Sequence, residues 1–195
     1  LFLVPRNAEG LAIRRQRRVD ERGAALVSLE GVPVEREQLL GPEEGGGELL
    51  VRAVDDATAG LCAEMLGGME QAFAMSLAHL KSREQFGVPI GSFQALAHRA
   101  ADLYIEIELA RSVVMAAARA LDAGDEQAPA AVSLAKARLS EGYLHLAHEA
   151  IQMFGGVGMT DEYDIGFFLK RARAAEFSFG DAAYHRDRWA RLAGY

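Results

Sequence analysis

Cysteine is almost absent from this chain: Cys62 stands alone among 195 residues. One thiol cannot close an internal disulfide, and it offers no metal cluster. It sits among Leu61, Ala63 and Met65 in a helical pattern, where a buried, inert thiol is expected. Long apolar runs are missing too. No window approaches 18 uninterrupted apolar residues, so no membrane-spanning helix is predicted. An excess of positive charge is also lacking, since the formal net charge is −7. That balance argues against nucleic acid or an anionic membrane as partner. The one basic run, Arg14, Arg15, Arg17 and Arg18, reads as a solvated face. The first residues do not follow the charged-then-apolar order of a signal peptide, so a cytoplasmic protein is expected. There is no initiator methionine, and Leu1–Val4 reads as a strand already in progress. Further residues are therefore expected ahead of Leu1.

What is present is the balance of an ordinary globular protein, 50% hydrophobic and 25% charged. Residues 1–45 have the character of β-structure. Leu1–Val4, Leu11–Arg15 and Ala24–Leu29 are strand candidates, with turn residues at Pro5, Asn7, Gly10 and Glu21-Arg22-Gly23. Gly31-Val32-Pro33-Val34 ends this region, and Gly41-Pro42 with Gly45-Gly46-Gly47 forms a hinge. So few strands cannot close a sheet with two covered faces, and the segment reads as part of a larger β-domain. From Glu48 onward the period becomes helical. Leu96, Ala100, Leu103, Ile107, Ala110, Val114, Ala117 and Leu121 form a 4-3-4-3 seam, the pattern of a helix packed lengthwise in a bundle. The helix before it places Leu50, Val54, Ala57, Leu61, Gly68, Ala72 and Met75 on one side. The helix after it repeats the pattern with Val132, Ala135, Leu139, Leu146, Ala150 and Met153, and ends at Gly155-Gly156. Two shorter helices are predicted over 163–175 and 181–192. The fold class is mainly α: a four-helix up-and-down bundle over 46–195, preceded by the end of a β-domain over 1–45.

Two segments are unusual for a plain bundle: Arg83-Glu84-Gln85-Phe86-Gly87-Val88-Pro89-Ile90, running on to Phe93-Gln94, and Gln152-Met153-Phe154-Gly155-Gly156-Val157-Gly158-Met159-Thr160. Each sets polar donors and close-approach glycines at a helix end. A guanidinium offers a forked pair of donors to a phosphate, and glycines let backbone amides reach a pyrophosphate. The plainer reading makes Gly87 and Gly155-Gly156 helix caps and leaves Arg83 solvated. Tyr143 and Tyr163 read as packing residues with hydroxyls at the rim. The acidic pairs Glu43-Glu44 and Asp55-Asp56 read as a loop and a helix start.

Together, these two segments resemble the C-terminal helical domain of acyl-CoA dehydrogenases, and Val19–Gly41 resembles the end of that family's middle β-domain. The resemblance covers nearly the whole chain. It implies an FAD-dependent oxidoreductase of fatty acid metabolism that acts on an acyl-CoA thioester. It also implies an electron-transfer flavoprotein as electron acceptor, and dimers or tetramers, homomeric or heteromeric, packed through the bundles. Arg83, Gln85 and Phe86 match positions that contact the FAD of the neighbouring subunit. Gln152, Gly155 and Gly156 match positions on the pyrophosphate and adenosine part of that flavin.

The family's reaction takes the α-proton with a carboxylate while the β-hydrogen leaves as hydride to flavin N5. Where the commoner family position carries glutamate, this chain reads Phe179-Gly180-Asp181-Ala182, with glycine at the expected place. The alternative position, on the first bundle helix, falls on Ala57, beside Asp55 and Asp56. Three readings stay open. Asp181 acts as the catalytic base, as aspartate does in a related nitroalkane oxidase, although a one-residue shift turns a helical side chain by about 100°. Alternatively, a partner subunit supplies the glutamate. The stretch through Tyr184-His185-Arg186 resembles small or paired subunits of heteromeric dehydrogenases for dicarboxyl- or steroid-derived thioesters. In the third reading Asp181 only caps the last helix. His185, at i+4 from Asp181, reads as a surface histidine.

Overall fold

The computed structural model describes all 195 residues. The chain divides into two compact units, Leu1–Asp56 and Ala57–Tyr195. In the first, β1 (Leu11–Gln16) and β2 (Ala24–Leu29) form an antiparallel hairpin in which Leu11 faces Leu29 and Gln16 faces Ala24. The turn between them carries Glu21 in the left-handed region at φ 54°. Its apolar side chains Ile13, Leu26, Val27 and Leu29 are exposed. The strand expected at Leu1–Val4 reduces to a single antiparallel bridge, Phe2 to Leu39. There is a physical reason: the ladder is only two backbone bonds long, Leu3 N–H donating to the Gln38 carbonyl and Leu40 N–H to the Leu1 carbonyl, beside a short 3-10 turn over Arg36–Gln38.

Helix α1 (Gly46–Ser82) begins in the glycine run and continues into the second unit. A two-residue hairpin, β3 (Glu84–Gln85) and β4 (Val88–Pro89), links it to α2 (Gln94–Asp122). A short turn then leads to α3 (Ala128–Phe154), with Pro129 in its first turn, where proline's missing N–H costs nothing. A 3-10 turn over Gly155–Met159 precedes α4 (Ile165–Phe177) and α5 (Ala182–Leu192). The two shorter helices thus sit where the sequence predicts them.

The seam of α2 is as expected, with Ala100, Leu103, Ile107, Ala110, Val114 and Ala117 all buried. They meet Val132, Ala135, Leu139, Leu146, Ala150 and Met153 of α3 in one core. Ion pairs confirm the antiparallel run: Arg99 pairs with Glu149 at 2.8 Å and Arg138 with Glu106 at 2.6 Å, so partners advance in opposite directions. Such exposed pairs record alignment and add little stability.

The stripe expected on α1 needs correcting. Leu50 and Ala57 are exposed, and the buried face runs through Thr58, Leu61, Cys62, Met65, Met69, Ala72, Ser76 and His79. The later part of the expected stripe holds, since Leu61 and Ala72 are buried, Met75 packs on the core and Gly68 meets Tyr143; the error lies at its start, ahead of Thr58. Asp55 and Asp56 lie well inside α1, not at its start, and Asp55 is buried. Cys62 is fully buried, and desolvation pushes its thiol up to about 12, as befits an inert thiol. No helix is long and apolar enough to cross a membrane.

One close approach fixes the spacing of α1 and α3. Gly68 faces the ring of buried Tyr143, and a Cβ there would lie 2.4 Å from the tyrosine Oη. Gly68→Ala is expected to cost about 1–3 kcal/mol by overpacking. In urea unfolding, its effect should be less than additive with that of Tyr143→Leu, which removes the colliding ring.

Candidate functional site

Arg83 is the first residue beyond α1, its N–H donating to the His79 carbonyl at 2.9 Å. The next residues fold back at once. Glu84 pairs with Pro89 and Gln85 with Val88, and Ile90 N–H donates to the Arg83 carbonyl at 2.8 Å. The turn is made by Phe86 at φ 57° and Gly87 at φ 78°, both left-handed, as a tight hairpin requires. Phenylalanine is a poor choice for that conformation. Its ring nevertheless stands 90% exposed, edge-on to Phe93 at 6.0 Å. The hairpin is pressed onto the end of α1 because Gly91 passes the Leu80 carbonyl with no room for a Cβ.

The second segment leaves α3. Gln152 is exposed in the last turn, and Gly155 ends the helix at φ 67°, ψ −145°, a conformation that needs glycine. Gly158 is demanded by packing, since a Cβ would sit 2.8 Å from that of Phe154. Gly156 is demanded by neither: it is exposed, its φ is ordinary, and a Cβ would meet nothing within 4 Å.

The structure brings these segments together through an aromatic cluster that sequence reasoning missed. The ring of His79, one turn before Arg83, stacks on Phe154, directly before Gly155, at 4.2 Å and 13°. Tyr163 stands edge-on to both, at 5.9 Å from His79 and 5.2 Å from Phe154. Burial, and then the Arg83 charge, lower the His79 pKa below its ordinary value, so the ring is neutral at pH 7. Many bundle arginines pair with carboxylates, such as Arg171 with Glu64 and Arg111 with Glu70. Arg83 is exposed and is not among those pairs.

Asp181 belongs to a second cluster, along α3. It is the N-cap of α5, its Oδ1 accepting from Tyr184 N–H at 2.9 Å. The turn before it is held from below by Lys136, which is fully buried. The Lys136 Nζ donates to Ser140 Oγ at 2.9 Å, the Glu176 carbonyl at 2.9 Å and the Gly180 carbonyl at 2.7 Å. Desolvation lowers its pKa, while nearby groups, Glu176 and Asp181 among them, oppose the shift. His185 is not a surface residue as expected. It is 2% exposed, with Nε2 3.0 Å from the Phe179 carbonyl. Lys136 could have been found: it lies one turn after Val132 and three before Leu139, on the buried face. Burial of His79 also follows from the period, three residues after Ser76 and seven after Ala72, but no local pattern marks its stacking partner or the burial of His185.

A profile of the acyl-CoA dehydrogenase C-terminal domain matches residues 44–193. The chain belongs to the acyl-CoA dehydrogenase family. Among curated relatives, it is 43% identical over 121 residues to acyl-CoA dehydrogenase IpdE2 of Mycobacterium tuberculosis, a match covering 62% of this chain and 36% of that protein. It is 34% identical over 190 residues to the probable acyl-CoA dehydrogenase YngJ of Bacillus subtilis, covering 95% and 49%. Among solved structures, the ChsE4-ChsE5 complex of Mycobacterium tuberculosis superposes with a TM-score of 0.89 at 28% identity, covering all of this chain and 52% of that one. The chain thus spans about half or less of the length of the proteins it matches.

FAD is the cofactor of this family. The residues at the end of α1 and α3 fit such a dinucleotide: an exposed guanidinium, an exposed aromatic ring, and at Gly156 a bare backbone that the fold itself does not require.

The Lys136 cluster makes a prediction independent of any ligand. Lys136→Met leaves the Glu176 and Gly180 carbonyls without their donor, at about 1–3 kcal/mol for each stranded group. Denaturant unfolding should register a loss of that order, and proteolysis should open the chain first near residues 177–181.

Proposed function

We propose that this chain forms the C-terminal half of a subunit in an FAD-dependent acyl-CoA dehydrogenase, an oligomeric and cytoplasmic enzyme that carries out α,β-dehydrogenation of an acyl-CoA thioester. The observation that supports this reading most is the stacking of His79 on Phe154, which draws the two unusual segments to one end of the bundle. In this reading the Arg83 guanidinium takes the pyrophosphate of a neighbouring subunit's FAD, with Gln85 and Phe86 alongside. Gln152, Gly155 and Gly156 adjoin the pyrophosphate and adenosine. When bound, the flavin supplies the hydride acceptor. An electron-transfer flavoprotein is the proposed electron acceptor. In the purified assembly, Arg83→Met is expected to weaken FAD binding by about tenfold or more, the worth of one charge-assisted hydrogen bond. Gly156→Val should do the same while leaving the unfolding midpoint of the apoprotein unchanged. A colourless wild-type assembly that takes up no added FAD would sink the flavin reading.

A second reading, in which a partner chain supplies the base, is favoured by the turn before α5. Gly180 has φ 105°, and a Cβ there would lie 2.4 Å from Tyr184 Cδ1. By resemblance, glutamate is expected at that position, and here the tyrosine ring fills the start of its path. Asp181 remains the chain's own candidate for catalytic base, but one of its oxygens is engaged by the helix it caps. Similarity to a complex of two named chains points the same way. Asp181→Asn keeps the cap, so stability should hold. Under the partner reading, turnover of the assembly also holds within a few-fold. A fall of about a hundredfold or more, the usual worth of a general base, would return that role to Asp181.

A further inference from the structure

We infer that His79 is a positioning residue for the flavin dinucleotide: stacked on Phe154, its ring sets the spacing between the Arg83 hairpin and the Gly155–Gly156 turn. The inference rests on the proposed flavin site and deepens it. Three features carry it. His79 lies one helical turn before Arg83, whose N–H donates to its carbonyl, so any shift of His79 moves the start of the hairpin. Phe154 immediately precedes Gly155, so the other face of the stack is rigidly joined to the glycine turn. Tyr163, just past that turn, closes the cluster edge-on against both rings, so the segment 155–163 is anchored at each end to the same two side chains.

Both rings are buried and nearly parallel, which a plain apolar filler does not impose. A branched aliphatic side chain at position 79 would fill most of the volume yet leave the separation and tilt of the segments loosely defined. The dinucleotide must meet the guanidinium and the bare backbone at once, so a small change in their spacing costs it one contact or the other. Lowering of the His79 pKa by burial and by Arg83 is in keeping with this role, since a neutral ring adds no repulsion beside the guanidinium.

The test uses the assembled enzyme containing this chain, stripped of flavin and titrated with FAD by fluorescence quenching, with helix content followed by circular dichroism. His79→Leu and Phe154→Leu are each expected to weaken FAD binding about tenfold, the worth of one aromatic pair, at unchanged helix content. His79→Tyr, which keeps a flat ring, should restore affinity to within about twofold of wild type. Combined with Arg83→Met, His79→Leu should cost less than the sum of the two, since it acts through that guanidinium. Leucine variants with wild-type affinity, or a tyrosine variant as weak as leucine, would overturn the positioning role and leave the flavin reading standing. A wild-type assembly that binds no FAD would remove both. Should His79→Leu fail to fold, Phe154→Leu and His79→Tyr carry the same comparison from either side of the stack.

Discussion

The bundle depends on how closely its long helices can approach. Small residues recur along the seams: Ala100, Ala110 and Ala117 on α2 share one core with Ala135, Ala147 and Ala150 on α3, and Gly68 on α1 admits the ring of Tyr143. Small residues bring backbones near one another, and the larger Leu103, Ile107, Leu139 and Leu146 then interlock between them. Three helices running up, down and up, joined by short connections, have one geometric consequence. The C-termini of the first and third emerge at the same end. His79 and Phe154 meet there, stacked at 4.2 Å.

That end of a bundle is electrostatically unpromising for a phosphate. Two helix C-termini point their carbonyls toward it, and the macrodipole favours cations there. An anion is held only if something outweighs that field. Arg83 is placed to do so, one residue past α1, with the hairpin folding back on its own carbonyl so that the side chain stays at the helix end. The same field helps hold the guanidinium itself. Glycine at 156 then matters in a different way from glycine at 155. The first bares backbone that the fold has no need to bare, whereas the second ends a helix.

The sequence announces regular structure far better than it announces contacts between ends. The α2 and α3 seams could be read residue by residue because a periodic burial demand is written into consecutive turns. On α1 the stripe was right from Leu61 to Met75 and wrong before it, for the sequence does not say where along a long helix the core begins, and Leu50 and Ala57 are exposed. Lys136 was visible in principle as a charge on an apolar face. The stacking of His79 and the burial of His185 were not, since each is set by a residue distant in sequence or beyond a turn: Phe154 for the one, the Phe179 carbonyl for the other. The two unusual segments were legible as motifs, and the resemblance implied that they share one ligand; the stack of His79 on Phe154 that joins them was not legible, because neither ring is at a polar position of the motifs.

The same distinction bears on the turn before α5. Asp181 satisfies a helix terminus, Lys136 anchors the carbonyls on either side of Phe177–Phe179, and Tyr184 stands against Gly180. Three polar groups of that turn, the Glu176 and Gly180 carbonyls and one oxygen of Asp181, are met from inside the chain. A carboxylate that must reach a substrate from this position would first leave its cap, forfeiting about 1 kcal/mol, and would carry with it a turn pinned from below by a buried ammonium. The clamp on residues 176–181 holds that turn in place, with Phe177 and Phe179 exposed, so a base role for Asp181 carries the cost of leaving it.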